Sequence, residues 1–101
     1  MADALALPKE LTLRQASGAL VRLLAAITGQ APGAPVRVQA QAMQVFDSSA
    51  LAVLLECRRA ALASRRSFAV AGLPPALRGL AVLYGVDGLL TQADGASAPP
   101  G

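Results

Sequence analysis

The hydrophobic pattern of this chain changes period again and again, and that alternation is what most limits the folds open to it. Val36, Val38, Ala40 and Ala42 alternate with Arg37, Gln39 and Gln41, the period of two that gives a strand one buried face. The stretch from about Ser48 to Ala63 then predicts a helix, and S-F-A-V-A-G-L at 67–73 predicts another strand. Upstream, Leu13, Ala16, Leu20, Leu23, Leu24 and Ile27 recur by threes and fours, as on one helix face, with Arg14 and Arg22 left for the other. Thr12 suits the N-cap of that helix and Gly29 its stop. The short apolar run at 4–7, ended by Pro8, reads as an edge strand or its remnant. Q-A-P-G-A-P at 30–35 is a loop on Pro and Gly grounds. Pro74 and Pro75 suit the opening of a third helix, carrying Leu77, Leu80, Ala81 and Tyr84 before Gly85.

Strand, helix, strand, helix, strand, helix: that order predicts an α/β fold with a small, mostly parallel sheet and helices packed on it. A parallel crossover needs a dozen or more residues and favours a helix. At 101 residues and 54% hydrophobic, the chain makes one domain burying roughly 60–65% of its unfolded surface, and not two. Val86, Leu89 and Leu90 are expected to fold back onto the core. Q-A-D-G-A-S-A-P-P-G from residue 92 is small, polar and Pro-rich, so the domain is expected over 1–91 and a disordered tail over 92–101.

Composition removes whole classes of function. Two Phe, one Tyr and no Trp make poor stacking platforms for bases, and a net charge of +3 on a sparsely charged chain is not a clustered basic face, so nucleic acid is not an expected ligand. The single cysteine, Cys57, allows no disulfide framework or cysteine-built zinc site within one chain, and in its apolar stretch it reads as a small core hydrophobe. The chain has no His, so the commonest metal ligand and the commonest general base are both missing. No metal or cofactor is expected. The N-terminus lacks the pattern of a secretory signal, and no apolar run reaches the ~18–20 residues of a membrane span. A soluble, cytoplasmic protein is the expectation.

Against that background Asp47-Ser48-Ser49 stands out, because it sets a carboxylate and two hydroxyls where a strand hands over to a helix. A helix beginning at Ser48 leaves its first N–H groups unpaired and its end partly positive, so Asp47 can cap it and a phosphate on Ser48 is favoured there. In open α/β sheets, sites form at such carboxyl ends of strands. Catalysis fits poorly. Neither serine has a His to activate it, the only Lys is Lys9, the six acids are scattered, and no phosphate loop or dinucleotide fingerprint is present. A well-capped helix explains the triplet without any function.

The following Ala50, Leu51, Ala52, Val53, Leu54 and Leu55 are apolar all round, so either the chain's own helices cover them or a protein partner does. Arg58, Arg59, Arg65 and Arg66 form the one charge cluster. They read as a solvated helix end complementing its dipole, or as a contact for an acidic partner face or anionic headgroups.

The strand run, then Asp47-Ser48-Ser49, A-L-A-V-L-L, F-A-V-A-G-L and a Leu-rich last helix together resemble the STAS domain family, the fold of bacterial anti-sigma factor antagonists, over about residues 4–90. The stretch G-L-P-P-A-L-R-G-L-A-V-L-Y-G-V-D-G-L-L is most similar to the MlaB branch, the small STAS subunits of the ABC system that moves phospholipids between the two membranes of Gram-negative bacteria. The resemblance implies a regulatory subunit that is not an enzyme. Its partner would be the cytoplasmic ATPase subunit of the ABC transporter, through which it would lie peripheral to the inner membrane. The family's contact or phosphorylatable hydroxyl follows the Asp, here Ser48, with partner contacts implied at Asp47, Ser49, Ala50, Leu51, Tyr84 and Val86. The antagonist branch implies an alternative partner, an anti-sigma factor that is also a serine kinase and switches binding by phosphorylating Ser48. The chain departs from the family's pattern in four places. Ala50 stands where the signature usually has Gly, Gln39 where many members carry an acid, Pro8-Lys9 where Gly usually precedes Glu10, and the N-terminal strand is expected to be shortened or missing.

Overall fold

A computed structural model of the protein describes residues 4–90, so the tail expected over 92–101 lies outside the described residues. The elements run β1 (Ala4–Ala6), β2 (Glu10–Leu11), α1 (Leu13–Thr28), β3 (Val36–Gln39), β4 (Val45–Phe46), α2 (Ser48–Ala63), β5 (Phe68–Ala71), α3 (Pro75–Leu83) and α4 (Asp87–Leu90). The fold is α/β, as the alternation of periods predicts. β1, β3 and β5 form a parallel sheet in that order, with Leu5 beside Val38 and Val38 beside Val70. Both crossovers step the same way across the sheet, so their right-handed turn places α1 and α2 on one face, where they pack on each other.

The strands show which face that is. Val36, Val38, Phe68 and Val70 are buried, whereas Arg37 and Ala71 are exposed. One face therefore carries the core and the other stays open, which is why β3 alternates as V-R-V-Q instead of reading as a continuous apolar run. The core is a single cluster of Leu, Val, Ala and Ile, with Leu11, Ile27, Leu54, Leu77 and Leu90 fully buried. Of the expected fold-back, Leu90 in the short α4 is buried and Val86 half-buried, whereas Leu89 is exposed. Cys57 sits in this cluster as a small core hydrophobe.

Several boundaries move. The strand from Val36 stops at Gln39: Ala40 remains buried, but the chain turns there, Met43 N–H donating to the Ala40 carbonyl at 3.1 Å, and Ala42 is exposed. The strand expected over 67–73 is Phe68–Ala71, because Gly72 turns away at φ +74. A side chain at Gly72 would run into Gln41, so the loops after β3 and β5 meet only because that position is bare. The N-terminal strand, expected to be shortened or missing, is present as the three-residue edge strand β1. The pair β2 and β4, two residues each, is too short to leave a periodic signal.

Candidate functional site

That small second sheet builds the site. Glu10 pairs with Val45 and Leu11 with Phe46, in parallel, and the Lys9 carbonyl accepts from the N–H groups of Gln44 at 2.8 Å and Val45 at 3.0 Å. β2 runs directly into α1 and β4 into α2. Registering the two strands therefore sets Thr12 and Asp47, the two N-caps, side by side. Each helix then starts as its sequence dictates. Thr12 Oγ1 accepts from the Arg14 N–H at 3.2 Å, and Gln15 Oε1 reaches back to the Thr12 N–H at 2.8 Å. Asp47 Oδ1 accepts from the Ser49 N–H at 2.8 Å.

Asp47 does more than cap its own helix. Its Oδ2 accepts from the N–H of Leu13, the first residue of α1, at 3.2 Å. One exposed carboxylate thus receives the N-termini of both long helices, neither of which has another acid in its first turn. The Ser49 N–H holds this carboxyl below its ordinary pKa of 3.8; desolvation opposes it, and the Leu13 N–H adds a smaller lowering effect.

The remaining residues fall into two groups. Ser48 is exposed, its hydroxyl outside these capping bonds, and Ser49 is half-buried. Around them two apolar side chains are turned to solvent: Leu13 is 75% exposed and Val45 49%. Sequence reading missed both, having placed Leu13 on the buried face of α1 and counted Val45 only as part of a strand run. Ala50 and Leu51, by contrast, are buried in the core. They support the corner from beneath and present nothing to a partner. Most of the apolar circumference of α2 is covered in the same way, since Ala50, Leu51, Val53, Leu54, Cys57 and Ala61 are all buried within the chain. That helix needs no partner to explain its composition.

Tyr84 and Val86 sit at the turn that ends α3. α3 ends in a left-handed turn at Gly85, φ +74, with the Gly85 N–H on the Val82 carbonyl and the Val86 N–H on the Ala81 carbonyl, both at 2.9 Å. Val86 is half-buried and closes that cap, whereas Tyr84 is 57% exposed beside exposed Val82 and Leu83. No hydrogen bond joins this turn to the Ser48 corner among the described residues. The arginines also separate. Arg59 pairs with Glu56 at 3.4 Å, Arg65 takes the left-handed position that ends α2, and Arg66 is buried. They do not form one basic patch.

An exposed serine on a helix N-terminus, a capping carboxylate and two solvent-facing apolar residues meet at one corner of a parallel α/β domain, in a chain that has no His. The family model described as the MlaB STAS domain matches residues 1–91. The chain belongs to that family, whose members are generally not enzymes. Comparison with curated proteins returns no match. No helix among the described residues is long and apolar enough to cross a membrane.

Proposed function

We propose that the protein is a non-enzymatic regulatory subunit that docks through its Asp47–Ser48–Ser49 corner on the cytoplasmic ATPase subunit of a phospholipid-transporting ABC system. The observation that carries this reading is the exposed Ser48, outside the capping bonds of Asp47 and flanked by exposed Leu13 and Val45. A small hydroxyl between two apolar residues suits close docking by a protein surface, and membership of the MlaB branch supports an ATPase as that surface. Asp47, Ser48, Ser49, Leu13 and Val45 form the contact. The test is co-purification with the ATPase subunit, followed by titration of Ser48→Glu. A charge buried there without a partner weakens the complex by about 10- to 100-fold and shifts the ATPase rate accordingly. A complex and rate unchanged by Ser48→Glu defeat the proposal.

A second reading follows from the same serine. A phosphate on Ser48 would sit at the N-terminus of α2, where the helix favours an anion, as the antagonist reading with a serine-kinase anti-sigma factor requires. Intact mass after incubation with such a kinase and ATP separates the two: a gain of one phosphate supports the switch, and an unmodified chain that still binds the ATPase supports the standing contact.

A further inference from the structure

β1 lies at the edge of the three-stranded sheet, and its ladder fixes which backbone groups face outward. The Leu7 N–H donates to the Gln39 carbonyl at 2.9 Å. Because alternate residues of a strand bond to the same side, Leu5 and Leu7 turn toward β3 and Ala6 turns its N–H and C=O away. Ala6 is exposed, and Pro8, next in the outward set, has no N–H to offer. Beside this edge, between β1 and α1, runs a cleft of about 450 Å³. Buried Ala19 and Leu23 floor it, half-buried Leu5 and Ala26 wall it, and exposed Arg22 stands at its rim. Arg22 has no ion pair among the described residues.

We infer that this edge and cleft take an extended peptide segment of a partner protein, added as a fourth strand beside β1. Ala6 supplies the backbone hydrogen bonds. An apolar side chain of the segment enters the cleft, and an acidic side chain two residues away, on the same face, meets Arg22. The chemistry selects this occupant over two others. A hydrocarbon chain filling the cleft would make no use of the outward Ala6 N–H and C=O, which an added strand pairs. A second copy paired through β1 about a two-fold axis would bring its own Arg22 toward this one, like charge against like. The site uses no residue of the Ser48 corner, so the two contacts stand or fall separately.

The test is backbone amide NMR of the full chain with three capped peptides: T-T-L-T-E-T-T, its Lys counterpart T-T-L-T-K-T-T, and the Glu peptide N-methylated through L-T-E. The Glu peptide is expected to shift the amides of Leu5, Ala6, Leu7, Arg22 and Leu23, and to bind about three- to fivefold more tightly than the Lys peptide, the size of an exposed ion pair. N-methylation abolishes the shifts, and Arg22→Glu, a change at an exposed position, reverses the preference. Absence of shifts with every peptide overturns the inference, as does equal binding of the Glu and Lys peptides or indifference to N-methylation. So does an edge that answers only to sodium decanoate, or one whose signals move with protein concentration alone.

Discussion

At the scale of single residues, Asp47 concentrates the information in the corner, because each carboxylate oxygen accepts one helix-starting N–H. Its pKa is depressed from 3.8 by the Ser49 N–H and then the Leu13 N–H, so the carboxylate, not the acid, is the form the fold prefers. The sign of the linkage follows. The stabilisation is fully present above the unfolded pKa of 3.8 and is lost as pH falls through the lower folded value. Asp47→Asn can still cap α2 with its one carbonyl oxygen, but it turns an NH2 toward Leu13. At pH 7 the variant is expected to melt on the order of 5 °C below the parent. Thermal melts at decreasing pH should hold that gap to about pH 4 and then close it as the parent protonates. A gap that stays constant down to pH 2 would mean the carboxylate charge contributes nothing. Half of this role was legible in the sequence: an Asp before Ser-Ser-Ala and an apolar run is an N-cap signal for α2. The bond to α1 was not, because it depends on the pairing of Glu10–Leu11 with Val45–Phe46, and two-residue strands carry no period.

Among the elements, the join between α2 and β5 shows how far charge patterning can mislead. Arg66 reads as one of four cations on a solvated helix end, yet it is only 6% exposed. Its guanidinium donates to the carbonyls of Ala31 at 2.7 Å, Ala34 at 3.2 Å and Gln30 at 3.1 Å. The turn that ends α2 explains the change of direction. Arg65 sits at φ +61, with its N–H on the Leu62 carbonyl, and the Arg66 N–H returns to Ala61, a left-handed cap that reverses the chain and carries Arg66 inward. There it pins the loop between α1 and β3 against the start of β5, where the Val36 N–H also reaches the Ser67 carbonyl at 2.9 Å. Only a planar fork of donors serves three carbonyls at once. Arg66→Met is therefore expected to cost about 2–4 kcal/mol in urea unfolding and Arg66→Lys about 1–2 kcal/mol, the latter keeping the charge but not the fork. Equal stability of Lys and Arg at this position would reduce the role to charge alone. Periodicity located α1, an apolar run after a capping Asp located α2, and Pro74–Pro75 marked the start of α3. None of these signals could locate Arg66, whose burial is set by a turn of positive φ at a residue that is not glycine.

For the whole molecule, one cluster links the buried faces of α1, α2, α3, the sheet and α4, and Cys57 is its built-in reporter. The thiol is fully buried, and burial first, with the neighbouring Glu56 charge second, pushes it up from 9.0 to about 11. Between those values the unfolded chain ionises its thiol and the folded chain does not. The contribution is thus present in full below pH 9 and is lost as pH rises toward 11. Cys57→Ala removes that linkage. Relative to it, the parent should lose stability in urea titrations run from pH 8 to pH 11, and parallel pH dependences would refute the buried, neutral thiol. The same placement predicts reactivity. α2 brings Cys57 to the core between the sheet and its neighbouring helices, so a thiol reagent reaches it only when that single cluster opens, as expected of a small cooperative domain. Labelling at neutral pH should then follow global unfolding, accelerating with urea in proportion to the equilibrium m-value. A ligand that binds only the folded chain, such as the ATPase partner proposed for the Ser48 corner, should slow it by the factor 1 + [L]/Kd. Rapid labelling without denaturant, or labelling indifferent to urea, would mean that α2 moves off the sheet by itself and that the corner at its N-terminus is not rigidly held.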